Sequence, residues 1–170
     1  MRTYYENINA DFTCKHCGAL VSACSGLSGV INRNHCPYCL HSRHLDLFEA
    51  GDRLSACKAL MVPIGLTLKK SRDKYAKGAQ GELMLVHWCE GCERISINRI
   101  AADDDPILLM EVFDKCFENQ KFFILCENQG IHLLQKNDRS EIQTRLYGSN
   151  EVIIQEDLRL VIEDRMSVYQ

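Results

Sequence analysis

The stretch "NRNHCPYCLHSRH", residues 32–44, decides the fold, because its thiol pair Cys36 and Cys39 supports two opposite interpretations. "CPYC" is the dithiol sequence of a glutaredoxin-type redox site. The same letters form half of a zinc site, in which two C-x2-C turns give four thiolates to one ion. A redox dithiol needs a surrounding βαβ unit, and the preceding "SACSGLSGVINRN" is instead rich in Gly, Ser and Asn. The neighbouring sequence therefore favours zinc.

An earlier pair, Cys14 and Cys17, supplies the other half of this site. Eighteen residues separate the two pairs, which fits the C-x2-C-x15–20-C-x2-C spacing of zinc sites. Gly18 directly follows the second thiol and suits a tight turn with positive φ. Pro37 fixes φ within the other turn. We expect one structural zinc ion to be bound by Cys14, Cys17, Cys36 and Cys39.

A third pair, Cys89 and Cys92 in "HWCEGCER", needs two further ligands to bind a metal. Cys57 is the best third ligand, since it lies between the first site and this pair. Candidates for the fourth are His35, His41, His44, His87 and Cys24. We choose His44, because it lies five residues past Cys39 and has enough chain to turn toward a second ion. The alternative is a pair of buried thiols that bind no metal.

Composition limits the remaining possibilities. The chain has 170 residues, 46% of them apolar and 25% charged, and ten are cysteines. The amino terminus shows no signal peptide and no apolar run has spanning length, so we expect a cytoplasmic protein with reduced thiols and no membrane partner. The net charge of −3 removes the argument for broad nucleic-acid binding, so any RNA or DNA contact requires a local basic patch.

The element pattern predicts an α+β fold of zinc-ribbon-like β-hairpins with two structural zinc sites and a helical C-terminal part. "ELMLVHW" and "RISINRI" read as the strands on either side of the third pair. Asp105 and Pro106 suit the start of a helix with one buried stripe. We divide the chain into a zinc-ribbon-like domain, residues 1–105, and a helix-containing extension packed on it, residues 106–170.

Three further elements are predicted in that extension. "KFFILCE" is a candidate for a buried strand, and "IHLLQ" for a shorter one. A helix begins at Asp138, which forms a capping-box pattern with Glu141, and ends at Gly148. The last twenty residues are ambiguous between strand and helix. Cys116 and Cys126 lie in apolar runs and are expected in the core.

Two groups of residues could contact nucleic acid. Arg33-Asn34-His35 could bind a phosphate or a base edge, although support of the first zinc site through hydrogen bonds is the favoured interpretation. The segment "KKSRDKYAKG" could be an RNA-contacting loop or a solvated surface loop. The residues assigned to nucleic-acid binding are Arg33, Asn34, His35, Lys69, Lys70, Arg72, Lys74 and Arg99.

Two other features bear on chemistry. Asp103-Asp104-Asp105 could chelate a hard cation, but capping of the following helix is the better interpretation. Cys57, Cys89 and Cys92 could form an open three-thiolate zinc site like that of the nucleobase deaminases. Those enzymes carry P-C-x-x-C, and no pair here has a proline before its first cysteine. Catalysis therefore has no support from motifs.

The motifs together resemble the bacterial RNHCP-domain family. The resemblance lies in "CKHCG", "RNHCPYCLHSRH", "GDR" with Cys57, and "CEGCERISINRIAADDD", and covers about residues 12–105. It implies a zinc-ribbon-like fold and special roles for Arg33, Asn34, His35, Asn98, Arg99 and Asp103, but no activity.

For function, the leading hypothesis is RNA binding in a translation or ribosome context, by analogy with other zinc ribbons. An adaptor that binds RNA polymerase or a ribosomal protein is the second hypothesis. A zinc-dependent hydrolase acting on nucleic acid or nucleotide is the third.

Overall fold

A computed structural model describes residues 10–69 and 81–148 of the chain. Chain contacts divide it into two compact units, Met1–Gln135 and Lys136–Gln170. The described part of the first unit contains two antiparallel sheets and three helices, and it carries every predicted zinc ligand. No helix among the described residues is long and apolar enough to span a membrane.

The smaller sheet of the first unit pairs β1 (Phe12–Thr13) with β2 (Leu20–Val21). The first thiol pair lies in the turn between these strands. A single-turn helix, α1 (Ser25–Ser28), follows and ends at Gly29, whose φ is +69°. Residues 10–30 therefore form a small hairpin and turn around one half of the first predicted site.

The larger sheet has four antiparallel strands in the order β3-β4-β5-β6. They are β3 (Ser42–Arg43), β4 (Leu60–Lys69), β5 (Glu82–Cys89) and β6 (Ile95–Arg99). The two strands predicted around the third thiol pair are confirmed as β5 and β6, joined by the turn that carries Cys89 and Cys92. The register of β4 shifts between Pro63 and Gly65. A Cβ at Gly65 would lie 3.0 Å from Leu133, so glycine lets the chain after α3 approach the sheet closely.

Two helices of the first unit complete the core. Helix α2 (Pro106–Lys115) packs against β4, and its N-cap is Asp105, which accepts a hydrogen bond from Ile107 N at 2.9 Å. The predicted cap, the N1 proline and the buried stripe are therefore confirmed. The stripe continues through a 3₁₀ turn in which Cys116 is buried. Removal of Leu109 and Phe113 from water drives this packing, since each is only 1% exposed.

The prediction of a strand at "KFFILCE" is wrong, because this segment forms helix α3 (Gln120–Asn128). Asn119 caps the helix by accepting a hydrogen bond from Lys121 N. Phe122 and Cys126 are four residues apart and pack on the same core cluster, while Ile124 between them is 56% exposed. A five-residue apolar run has the length of a strand, and its Asn119 cap and the four-residue spacing of its packed side chains distinguish it as a helix.

The short strand predicted at "IHLLQ" is reduced to an isolated bridge between Leu133 and Thr67. The Thr67 hydroxyl also donates to His132 O at 2.6 Å, and Leu134 N donates to Leu66 O. These bonds hold the chain after α3 against β4 without a further strand.

In the second unit, α4 (Arg139–Tyr147) confirms the predicted helix, which ends at Gly148 with φ +75°. The predicted capping box does not form. A 3₁₀ turn precedes the helix and gives Asp138 a helical backbone, so its side chain makes no capping bond, and Glu141 pairs with Arg145 at 2.8 Å. The ambiguous last twenty residues lie outside the described residues. The division at residue 105 stays a prediction.

Candidate metal centres

The three thiol pairs lie in turns of the same backbone geometry, which we call in chain order the first (Cys14–Cys17), second (Cys36–Cys39) and third (Cys89–Cys92) knuckles. In each, the first cysteine donates its N–H to the carbonyl five residues on and accepts a bond from the N–H four residues on. The residue four places on has a left-handed φ, of +76° in Gly18 and +59° in Leu40 and Glu93. Positive φ was predicted for Gly18 and is confirmed. A non-glycine residue in this conformation costs about 1–3 kcal/mol, so the surroundings must hold these turns in place.

The first cluster brings the first two thiol pairs together, as predicted from their spacing. Cys14 Sγ lies 3.6 Å from Cys39 Sγ, and Cys17 Sγ lies 3.6 Å from Cys36 Sγ. All four sulfur atoms lie within 4.8 Å of one another. Sulfurs at the corners of a tetrahedron with Zn–S bonds of about 2.3 Å are about 3.8 Å apart. The four thiols therefore have the number, chemistry and spacing of a four-cysteine zinc site.

The second cluster confirms Cys57 and His44 as the partners of the third thiol pair. Cys57 Sγ lies 3.7 Å from Cys89 Sγ, and His44 Nδ1 lies 3.2 Å from Cys92 Sγ. The four ligand atoms lie within 4.8 Å of one another. The larger sheet brings these ligands together, because the end of β3, the start of β4 and the end of β5 lie side by side.

Both ligand sets are closed, and the chain is positioned to bind two zinc ions. A catalytic zinc keeps one coordination position for water, whereas four cysteines, or three cysteines and a histidine, fill all four positions with protein. The open three-thiolate site considered in the sequence is therefore replaced by a structural one, since His44 occupies its fourth position. This geometry gives no support to hydrolysis at the second cluster.

The thiols of the clusters differ in acidity. Burial opposes ionisation of Cys14, but hydrogen bonds from the backbone of Cys17 and His16 lower the pKa of its thiol to about 7. Burial raises the pKa values of Cys36 and Cys89 to about 11. Zinc must therefore displace protons from the buried thiols when it binds.

The arginine and histidine of "RNHCP" form a buried charged network beside the first cluster. The side chains of Arg33 and His35 are 1% and 2% exposed. Arg33 Nη1 donates to Asp103 Oδ2 at 2.7 Å, and Asp104 Oδ2 lies 2.7 Å from His35 Nε2. Asp104 also accepts a bond from Ala101 N. The network ties the second knuckle to the segment after β6, which is the supporting role that the sequence offered as the alternative to nucleic-acid contact.

Asn34 and Asn98 support the clusters in the same way. Asn34 Nδ2 donates to Asp46 Oδ2 at 2.7 Å, which holds the loop between the clusters. Asn98 Nδ2 donates to His87 Nδ1 at 2.8 Å, and His87 Nε2 donates to Leu40 O at 2.7 Å. Burial lowers the pKa of His87 to about 3, so the ring is neutral and joins β5 to the second knuckle. The sequence did not find this role, because His87 was considered only as a ligand.

The acidic triplet divides its roles. Asp105 caps α2 as predicted, whereas Asp103 and Asp104 pair with Arg33. Among the other residues assigned to nucleic acid, Lys69 and Arg99 lie at the exposed ends of β4 and β6. Lys70, Arg72 and Lys74 lie outside the described residues.

We predict that purified protein retains two zinc ions per chain and that His44→Ala retains one. The lost histidine opens the second coordination shell, while the first cluster is unchanged. Native mass spectrometry counts the ions, and Cys24→Ser is the control, since Cys24 is exposed and belongs to neither cluster. A single zinc ion in the unmutated protein would contradict the second site.

We predict that Asp104→Ala lowers the free energy of unfolding by about 3–5 kcal/mol, because it leaves the buried Arg33 and His35 without their shared carboxylate. Asp103→Ala is the matched control. Its side chain is 39% exposed, and its loss should cost less than about 1 kcal/mol. Denaturant unfolding of the zinc-loaded proteins measures both values, and equal effects would contradict the network.

Comparison with known proteins agrees with this geometry. Neither the curated proteins nor the solved structures include a match to this chain. The RNHCP domain matches residues 9–110, which is more than half of the sequence and includes all eight ligands. The chain belongs to the RNHCP domain family.

Proposed function

We propose that this zinc-binding protein binds single-stranded RNA, in the translation setting expected by analogy with other zinc ribbons. The observation that supports the proposal is a cavity of about 290 Å³ at the end of the larger sheet that lies opposite the second cluster. Lys69 at the end of β4 and Arg99 at the end of β6 both line it. Two exposed cations at one cavity provide the local basic site that a chain with net charge −3 requires.

The covalent path of the chain strengthens this site. The cavity lies where β4 ends and β5 begins, and residues 70–80 connect these two strands in the sequence. That connecting sequence contains Lys70, Arg72, Lys74 and Lys77, together with Tyr75. Cations beside an aromatic ring are typical of proteins that follow a phosphate backbone and stack its bases.

The lining of the cavity favours a base over a phosphate alone. Three amides line it, from Asn32, Asn34 and Asn98, together with apolar side chains such as Ile31 and Ile97. The amide nitrogens already donate hydrogen bonds within the protein, whereas the buried Oδ1 of Asn34 has no hydrogen-bond partner. An amide oxygen can accept from the amino group of a base, and apolar groups contact the faces of bases. The volume is at the lower end of the range for small-ligand pockets, which suits a single base. Unpaired RNA can place a single base there.

We predict that Lys69→Gln combined with Arg99→Gln weakens RNA binding and makes its salt dependence shallower. Each lost phosphate contact removes about 0.7 from the slope of log affinity against log salt, so two remove about 1.4. Glu82→Gln should act in the opposite direction, because Glu82 Oε1 lies 3.1 Å from Arg99 Nε and competes with a phosphate. Fluorescence anisotropy with a labelled single-stranded RNA at several salt concentrations measures both effects.

Lys115→Gln is the matched control, since Lys115 is also an exposed cation paired with a glutamate, Glu111, at 3.2 Å. It should leave affinity and slope unchanged. The proposal fails if no RNA binds at low salt, or if the double variant binds as the unmutated protein does.

An apolar groove favours the adaptor as a second candidate function. A cavity of about 510 Å³ lies between the second knuckle and α2, lined by Tyr38, Leu40, Val62, Leu108 and Phe122 among others. Its lining suits the apolar side chains of a peptide segment in a partner protein.

For the adaptor, Leu108→Glu should abolish co-purification of a stoichiometric partner while leaving RNA binding intact. The Lys69 and Arg99 double variant should show the reverse pattern. A partner retained by Leu108→Glu would exclude this groove as its site.

A further inference from the structure

Two histidines meet on the surface of the first cluster, and neither belongs to the four-thiolate set. His16 lies within the first thiol pair, and His41 lies two residues after the second. Their rings stack with centroids 3.5 Å apart and an interplanar angle of 5°. One ligand nitrogen of each ring and Cys39 Sγ lie within 4.8 Å of one another. The convergence of the two knuckles on the first zinc therefore also creates a group of two imidazoles and one thiol.

The hydrogen bonding of His41 prepares its ring to bind a metal. His41 Nδ1 lies 2.9 Å from Cys39 O, and the N–H that donates to this carbonyl must be on Nδ1. The lone pair of the neutral ring is then on Nε2. Ligand histidines in zinc sites show this arrangement, in which a bond from the other ring nitrogen fixes tautomer and orientation. The lone pairs of two stacked rings lie in parallel planes, so the exposed His16 ring must rotate out of the stack for a nitrogen of each ring to face one ion.

Charge favours a further cation at this place. Four thiolates around one zinc ion carry a net charge of −2, because the ion supplies only two positive charges. Cys39 is half-buried, so its sulfur lies at the edge of the first cluster rather than inside it. A thiolate sulfur has lone pairs beyond the one used in the first bond. Nitrogen and sulfur ligands select a borderline or soft metal ion over magnesium or calcium.

We propose that His16, His41 and Cys39 bind a third zinc ion, with Cys39 Sγ bridging it to the ion of the first cluster. The third ion has three protein ligands and keeps one position for water or another small ligand, unlike the two closed sites. It is exchangeable, because two of its ligands are at or near the surface. Its formation requires the first zinc, because that ion fixes Cys39 Sγ and the relative position of the two knuckles.

The test is zinc titration of protein that already holds its two tight ions, followed by native mass spectrometry and calorimetry. The unmutated protein should bind a third ion. Loss of a residue that only supports a metal ligand weakens metal binding by about 10- to 100-fold, so His16→Gln, which removes a ligand, should weaken the third step at least tenfold. It should retain the two tight ions and the melting temperature. His41→Gln should have the same effect. His132→Gln is the control, since His132 is an exposed histidine paired with Glu127.

A second measurement tests the sulfur bridge. Cobalt added to protein that retains two zinc ions should produce a sulfur-to-cobalt charge-transfer band in the unmutated protein and not in His16→Gln. The proposal is overturned if no third ion binds, if both histidine variants bind it as tightly as the unmutated protein, or if bound cobalt shows no such band.

Discussion

The convergence of thiols from distant parts of the chain on two metal ions is the interaction on which the first unit depends. The ligands of the second cluster come from residues 44 to 92, and those of the first from residues 14 to 39. A structural zinc ion contributes about 10 kcal/mol or more to folding in zinc-finger peptides. That energy also holds strained turns, since Leu40 and Glu93 keep a left-handed backbone only where the thiols beside them are fixed.

A buried carboxylate gives the two clusters a common framework. Asp104 is held between Arg33 and His35, next to the first cluster, and its own segment follows β6 of the sheet that carries the second. An ion pair with fully buried side chains is costly to desolvate, so its stabilising effect depends on every polar atom having a partner. Arg33 and His35 meet this requirement by bonding to the carboxylates of Asp103 and Asp104 and, for Arg33, to the carbonyl of His35. Arg33 and His35 hold the second knuckle in position.

The zinc-binding residues could be predicted from the sequence more completely than any other feature. A C-x2-C pair fixes two sulfurs locally, so spacing alone identified the first cluster, and chain length was enough to select His44. Burial of charge could not be predicted in this way, because Arg33 looks the same in sequence whether it faces RNA or Asp104. The sequence wrongly predicts a strand for helix α3, since its five-residue apolar run fits both periods. The stacking of His16 on His41 depends on two knuckles separated in sequence and has no local signal.

The second cluster and the exposed cations Lys69 and Arg99 lie at opposite ends of the strands of the larger sheet. At one end of the sheet β4 begins and β5 ends, and the second cluster fixes both. At the opposite end, β4 ends at Lys69 and β6 ends at Arg99, and both residues line a cavity. Residues next to a zinc-binding side chain must satisfy the geometry of the ion. They therefore have little freedom to suit a bound molecule such as RNA. At the far ends of β4 and β5 that constraint is absent, and exposed cations and amides can be placed at a backbone that the metal has already made rigid. His16 is an exception to this constraint, because it lies between the ligands Cys14 and Cys17 in the sequence while its exposed side chain stays outside the four-thiolate shell.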